Sequence, residues 1–86
     1  MEFEFDENKS ESNHEKHGIN FVQAQTLWED SDRLQVPART KEEKRFILIG
    51  KIGQKYWTAV FTFRNEKIRI ISVRRSRKQE VEAYES

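Results

Sequence analysis

The apolar positions in the second half of the chain alternate with polar ones, a period of two that is typical of β-strands. The stretch 67–75 alternates in this way, is rich in β-branched residues and runs directly into a cluster of cations. The stretch 45–52 is apolar on both faces, which indicates a central strand covered on both sides. Between them, 55–63 predicts a strand with one apolar face, made of Trp57, Ala59, Phe61 and Phe63.

Two shorter strands are predicted nearer the start. Phe3-Glu4-Phe5 alternates, with both rings on one face. The stretch 33–36 predicts a strand that Pro37 either ends or places at a sheet edge, because proline cannot donate to the hydrogen-bond ladder. The polar stretch 38–44 predicts a loop, and the short link 64–66 predicts a hairpin before the last strand.

Capping residues at both ends predict a first helix over 7–16, although this segment contains no apolar residue. Asp6 is a suitable N-cap, and Gly18 is placed to end the helix in a left-handed conformation. Without an apolar stripe, the segment is either a solvated helix held by its two ends or a frayed one, and we predict the helix.

Two further helices are predicted from caps and apolar spacing. Asn20 caps a helix from Phe21 to about Glu29, whose apolar stripe is expected to lie on the sheet. That stripe consists of Phe21, Ala24, Leu27 and Trp28. Ser76 caps a short last helix, with Gln79 as its capping-box partner.

These elements predict a single α+β domain over 1–86, in the order β-α-α-β-β-β-β-α. We expect a small antiparallel sheet covered by two N-terminal helices and one C-terminal helix. A chain of 86 residues has room for one hydrophobic core.

Charge is distributed unevenly along the chain, although the net charge is only +1. Residues 1–16 carry six acids against two lysines. Residues 64–78 carry seven bases against Glu66 alone: Arg64, Lys67, Arg69, Arg74, Arg75, Arg77 and Lys78. A basic region of this kind indicates an anionic partner.

Several kinds of chemistry are not indicated. The absence of cysteine removes thiolate zinc sites and thiol nucleophiles. Grouped carboxylates of the kind that hold Mg²⁺ are missing from the predicted strands, and no glycine-rich phosphate loop is present. We therefore expect no metal and no other cofactor. With no visible secretory signal or membrane-spanning run, a cytoplasmic location is expected.

Strand alternation separates the two adjacent arginines of the basic region. Arg74 and Arg75 point in opposite directions unless the strand ends or bulges between them. One is expected to face a cleft, and the other to be held by packing or an ion pair. A regular strand predicts Ile68, Ile70, Ser72 and Arg74 on one face, and Arg69, Ile71, Val73 and Arg75 on the other.

Guanidinium groups supply one requirement of metal-free RNA cleavage. The reaction needs activation of the 2′-OH, neutralisation of the scissile phosphate and protonation of the 5′ oxygen, and arginines supply the second. Tyr84, carried by the last helix, can hold a phosphate or move a proton. The same charges also suit a solvated helix start, or a non-catalytic module that docks RNA or an acidic protein, so the pattern leaves these alternatives open.

Residues spread over nearly the whole chain resemble the BrnT family, the toxin half of a type II toxin–antitoxin pair. The two most specific matches are Lys16-His17-Gly18 and the run from Ile68-Arg69-Ile70-Ile71-Ser72 to Arg74-Arg75. The other matches are Phe3-Glu4-Phe5-Asp6, Asn13, Phe21 with Ala24, Arg45-Phe46 leading to Ile49-Gly50, and Glu82 with Tyr84. The chain departs from the family pattern at 7–12 and at Ser31.

The resemblance implies a RelE-like fold and a ribonuclease that halts translation. It also implies a BrnA-type antitoxin with a ribbon-helix-helix domain, so that contact with DNA occurs only through the antitoxin. The catalytic positions implied by the match are Arg64, Arg74, Arg75 and Tyr84. The RNA contacts expected around them are Arg45, Arg69, Arg77 and Lys78.

Overall fold

The computed structural model describes residues 1–41 and 43–86. Its elements are β1 (Phe3–Glu4), α1 (Glu7–His17), α2 (Phe21–Ala24), a 3-10 helix (Gln25–Glu29), β2 (Leu34–Ala38), β3 (Arg45–Ile52), β4 (Lys55–Arg64), β5 (Lys67–Arg75) and α3 (Lys78–Glu85). The α+β fold class is confirmed, while the RelE-like relationship stays a prediction. Within the described residues, no helix is both long and apolar enough to span a membrane.

The five strands form one mixed sheet in the order β1-β5-β4-β3-β2. The neighbours from β2 to β5 are antiparallel, as predicted. β1 joins β5 in parallel, with Phe3 opposite Ile68. A hairpin would make two neighbouring strands antiparallel. Since no hairpin connects β1 to β5, these two strands are free to pair in parallel.

Pro37 lies within β2, at the edge of the sheet. Pro37 therefore does not end the strand but lies at the sheet edge, the second of the two predicted outcomes. At an edge, the N–H that proline lacks is not needed for pairing with a further strand. The predicted loop 38–44 includes residue 42, which lies outside the described residues. Ala38 belongs to β2 rather than to that loop.

One face of the sheet, here called the core face, packs against α2 and the 3-10 helix. Trp28 meets Phe61 edge-on, with ring centroids 5.2 Å apart. The predicted stripe of Phe21, Ala24, Leu27 and Trp28 is buried throughout. The sequence predicts one helix from Phe21 to about Glu29. In the structure this segment is α-helical up to Ala24 and then continues as a 3-10 helix, which has fewer residues per turn, before the chain turns toward β2.

Gly50 allows the 3-10 helix to lie close to β3. A Cβ at this position would lie 3.1 Å from Leu27 Cδ2 and 3.5 Å from the Leu27 carbonyl oxygen. It would also lie 3.6 Å from Asp30 Oδ2. An alanine methyl here would therefore require the Leu27 side chain to shift by a few tenths of an ångström.

Both ends of α1 are capped as predicted. The Asp6 carboxylate accepts hydrogen bonds from the N–H groups of Asn8 at 2.8 Å and Lys9 at 3.2 Å. At the other end, the Gly18 N–H donates to the His14 carbonyl at 2.8 Å. Gly18 has φ +78°, a left-handed conformation that glycine adopts without strain.

Buried polar side chains also hold the middle of α1. The Asn13 amide donates to the carbonyls of Ile19 at 2.8 Å and Val73 at 2.9 Å, and its oxygen accepts from the Val73 N–H at 3.0 Å. The Ser10 hydroxyl accepts from the Phe21 N–H at 2.9 Å. A helix without apolar residues is thus fixed to the rest of the domain by hydrogen bonds.

Candidate functional site

A β-bulge in β5 changes the faces predicted for the basic strand. Phe61 pairs with Ile70 and Val60 with Ser72, which leaves Ile71 as the inserted residue. The observed arrangement places Ile68, Ile70, Val73 and Arg75 on the core face and Arg69, Ser72 and Arg74 on the opposite, outer face. The predicted division of faces is wrong, because regular alternation cannot anticipate an inserted residue. The divergence of Arg74 and Arg75 is confirmed.

Arg74 lies on the outer face and is paired with Glu80 at the start of α3. Its two terminal nitrogens donate to the two carboxylate oxygens, each at 2.8 Å. The side chains are 25% and 17% exposed. The hydrogen bonds from Arg74 lower the pKa of Glu80 to about 2, although burial alone would raise it. Both groups are therefore charged at neutral pH, and the Arg74 charge is compensated within the chain.

Glu80 also organises the start of α3. Its carboxylate accepts from the Arg77 N–H at 2.7 Å and from the Thr58 hydroxyl at 3.0 Å. The N-cap is Arg77, so the predicted cap at Ser76 with Gln79 is wrong. The Ser76 hydroxyl instead hydrogen-bonds the Thr58 hydroxyl at 2.8 Å. Because the helix starts one residue later than predicted, Glu80 is its third residue. At this position its carboxylate accepts hydrogen bonds both from the N-cap N–H of Arg77 and from the Arg74 guanidinium.

Tyr84, one helical turn beyond Glu80, lies on the same side of the sheet but is engaged elsewhere. Its hydroxyl donates to Asp30 Oδ2 at 2.7 Å. This hydrogen bond raises the pKa of Tyr84 to about 12. The same carboxylate also accepts from the N–H groups of Asp32 and Lys51, each at 2.9 Å.

Asp30 is a structural centre that sequence reasoning missed. Burial alone would raise its pKa, but the hydrogen bonds from Tyr84 and from backbone N–H groups outweigh this and lower it. The available signal was the Asp-Ser-Asp sequence, which predicts a carboxylate that caps its own turn. Its partners on β3 and α3 are distant in sequence and could not be read from that pattern.

Arg75 presents its guanidinium on the other side of the strand. The guanidinium carbon lies over the Trp57 ring, 5.5 Å from its centroid, within the range of a cation–π contact. The residue is exposed, and no carboxylate of the described residues pairs with it. Arg77 and Lys78 follow and are also exposed. Arg75, Arg77 and Lys78 are here called the strand-end cluster.

Arg45 and Arg64 lie at the opposite end of the sheet from this cluster. Both contact Glu43, at 3.5 Å and 3.7 Å. Arg64 is six residues along β4 from Thr58, the cross-strand partner of Arg74. At the usual rise of a strand, this corresponds to about 20 Å. The structure therefore does not bring Arg64 together with Arg74 and Arg75.

Arg69 lies between these two ends and is paired with β1. Its guanidinium donates to Glu4 at 3.0 Å, and its side chain is 26% exposed. Across residues 1–41 and 43–86, no group of three or more His, Cys, Asp or Glu side chains is placed to hold a metal ion. Cationic side chains thus dominate the candidate site, and those that pair with no carboxylate of residues 1–41 and 43–86 lie where β5 ends.

Comparison with known proteins identifies a family for this chain. A search among curated proteins finds no match. A family model described as a ribonuclease toxin, BrnT, of type II toxin-antitoxin systems matches residues 5–80. The match begins at Phe5, directly after β1, and runs through the strand-end cluster to Glu80, so that Tyr84 lies beyond it. The chain therefore belongs to the BrnT family of ribonuclease toxins of type II toxin–antitoxin systems.

Proposed function

We propose that this chain is an endoribonuclease that binds the RNA backbone at the strand-end cluster and cuts it there without a metal ion. The observation that supports this most directly is the exposed guanidinium of Arg75, held over Trp57 and without a carboxylate partner in the described residues. A fixed, uncompensated guanidinium can stabilise a phosphate with little reorganisation.

The proposed reaction is an in-line transfer within the RNA. The 2′ oxygen bonds to phosphorus, the bond from phosphorus to the 5′ oxygen breaks, and the 2′ proton is lost as the 5′ oxygen gains one. The products are a 2′,3′-cyclic phosphate and a 5′-hydroxyl. Arg75 neutralises the developing charge on the phosphate oxygens, and positioning of the RNA contributes the remainder.

Arg74 and Tyr84 are proposed to take part in catalysis after a change of partner. Arg74 must leave Glu80, and Tyr84 must leave Asp30, so that each can bind a phosphate oxygen instead. Tyr84, with its pKa raised to about 12, is protonated at neutral pH and can donate a proton or a hydrogen bond. It is a poor general base at that pH.

The remaining arginines are proposed to bind RNA away from the scissile phosphate. Arg64 and Arg45 lie about 20 Å along the sheet, which is several nucleotides of extended chain and too far for the same phosphate. We therefore propose that Arg64 supports binding rather than the chemical step. Arg69 is proposed to contact the RNA between these two ends.

In the cell, we propose that cleavage inhibits translation and that a BrnA-type antitoxin neutralises the toxin. That antitoxin would carry a ribbon-helix-helix domain, and the toxin would contact DNA only through it. The single domain 1–86 would act in the cytoplasm, and its fold would be related to RelE.

The test is cleavage of RNA by the purified chain in the presence of EDTA, with analysis of the product ends. We expect cyclic phosphate ends for the wild type and loss of at least about tenfold in rate for Arg75→Ala, with partial recovery in Arg75→Lys. Lys9→Ala, which removes an exposed cation from α1, is the matched control. If RNA is retained intact with a steep salt dependence, the non-catalytic binding module is correct instead.

A further inference from the structure

A groove of about 360 Å³ opens beside Trp57, between the α1–α2 link and the β3–β4 hairpin. Its apolar lining consists of Ile19, Ile52 and Trp57, and its polar rim includes Gln23 and Lys55. The volume is within the range of small-ligand sites, about 300–1,000 Å³. Apart from Trp57, which holds Arg75, none of these residues has a role in the reaction proposed above.

Trp57 connects this groove to the strand-end cluster. It is the cross-strand partner of Arg75 and lies beneath that guanidinium. Lys55 is two residues earlier on β4 and therefore on the same face of the sheet. Two cations thus flank one indole, with an apolar groove beside it.

We infer that this groove binds one nucleoside of the RNA chain, with its base against the apolar lining and the adjoining phosphate on Arg75 and Lys55. The inference rests on the proposed ribonuclease function and adds a subsite to it. Bases bound in single-stranded form stack on aromatic rings and on guanidinium planes, and the Arg75 guanidinium lies over the Trp57 ring that lines the groove.

The rim supplies a group that can read the base edge. The Gln23 side-chain oxygen accepts a hydrogen bond from the Asn20 N–H at 2.9 Å, which fixes the orientation of the amide. Its NH₂ group has no acceptor among the described residues and can donate to a carbonyl or ring nitrogen of a base. The groove therefore offers stacking, charge and one directional donor.

Because Arg75 serves both the groove and the proposed scissile phosphate, the bound nucleoside is next to the cut. The groove would then determine which base is preferred at that position. An apolar, acidic segment of a protein partner presents the same combination of apolar surface and negative charge. That occupant is the alternative that the experiment must exclude.

The experiment uses Trp57 fluorescence as a direct reporter of the groove. A 2′-O-methyl RNA, which cannot be cleaved by attack of its 2′ oxygen, is titrated into the full chain. We expect saturable quenching that is absent in Trp57→Phe while binding persists by anisotropy. We expect about tenfold weaker binding for Lys55→Ala and for Thr26→Phe, which adds bulk at the exposed rim. Lys9→Ala is again the control.

The outcomes separate this subsite from the proposed catalysis. Quenching without any cleavage of unmodified RNA would support the subsite and contradict the ribonuclease proposal. Cleavage that is unaffected by Lys55→Ala and Thr26→Phe, with no quenching, would overturn the subsite and leave the ribonuclease intact. Quenching by the antitoxin but not by RNA would assign the groove to the protein partner and overturn the inference.

Discussion

The guanidinium of Arg74 and the carboxylate of Glu80 are joined by two hydrogen bonds, each 2.8 Å long. This pair links the end of β5 to a helix that has no buried residue. Other side chains of α3 make hydrogen bonds, from Tyr84 to Asp30 and between Glu85 and Tyr56, and the Tyr84 ring meets the Tyr56 ring edge-on, with centroids 5.5 Å apart. Attachment of α3 to the sheet therefore depends on electrostatics more than on apolar burial.

Glu80→Gln should release α3 while leaving the core intact. The substitution removes the charge from a bidentate pair, and hydrogen bonds to charged groups are worth about 1.5–3 kcal/mol each at most. We expect faster hydrogen exchange of α3 amides, with little change in the amides of β4 and β5. Glu82→Gln changes the same type of residue at an exposed position of the same helix and should have no such effect. Equal exchange in the two variants would show that the pair does not hold α3.

Acid should weaken the same contact in a defined pH range. The folded-state pKa of Glu80, about 2, lies below its ordinary value of 4.5. The stabilisation is therefore fully present above about pH 4.5 and is lost as the pH falls toward 2. We expect the stability difference between the wild type and Glu80→Gln, measured by urea unfolding, to shrink across this range. Asp30 also has a lowered pKa, but it is present in both proteins and cancels in the difference.

Asn13→Ala should destabilise the whole domain. The three hydrogen bonds of its side chain satisfy backbone groups of Ile19 and Val73, which are both buried. Leaving such groups unpaired costs about 1–3 kcal/mol each when no water replaces the partner, and we expect a total loss of about 3 kcal/mol. Urea unfolding measures this loss. Asn8→Ala, an exposed position of the same helix, should change stability by less than about 0.5 kcal/mol.

Gly50→Ala should disturb the packing of Leu27 against β3. The new methyl would lie 3.1 Å from Leu27 Cδ2 and 3.6 Å from Asp30 Oδ2. We expect a loss of about 1–3 kcal/mol in unfolding free energy, the usual range for overpacking. The Tyr84 titration should stay unchanged, because a methyl 3.6 Å from Asp30 Oδ2 is in ordinary van der Waals contact. Unchanged stability would contradict this close packing.

Arg64→Ala and Arg75→Ala should affect different steps of RNA cleavage. Because Arg64 lies at the far end of the sheet, we expect its loss to raise KM with little change in kcat, and to reduce the salt dependence of binding. Arg75→Ala should lower kcat. Single-turnover and steady-state kinetics separate the two effects. A reduced kcat in Arg64→Ala would mean that Arg64 takes part in the chemical step, which would contradict this prediction.

Sequence patterns located most elements because their signals are local. The apolar run 45–52 coincides with β3, and 67–75 with β5. Asp6 and Gly18 end α1 as their chemistry predicts. These assignments depend only on neighbouring residues and on the geometry of caps and strands.

The features that could not be predicted depend on contacts between distant residues. The bulge at Ile71 is an insertion relative to β4, so it becomes visible only when the two strands are paired. The partners of Arg74, Asn13 and Asp30 come from other elements, which decide whether a charged or polar side chain is paired or exposed. The sequence therefore predicts the candidate site as a set of cations together with Tyr84, and the structure shows which of the cations a carboxylate of the described residues neutralises.

The hydrogen bonds between Asn13 and Val73 span 60 residues, which has a consequence for the order of events during synthesis. α1 leaves the ribosome early but contains no apolar residue with which to collapse onto its neighbours. Its buried amide acquires its partner only after the last strand has been made, and β1 likewise waits for Ile68. We therefore expect α1 and β1 to dock late, since contacts between distant residues form slowly. A ribonuclease built in this way would complete the docking of its first helix only when the strand that carries its cations has formed.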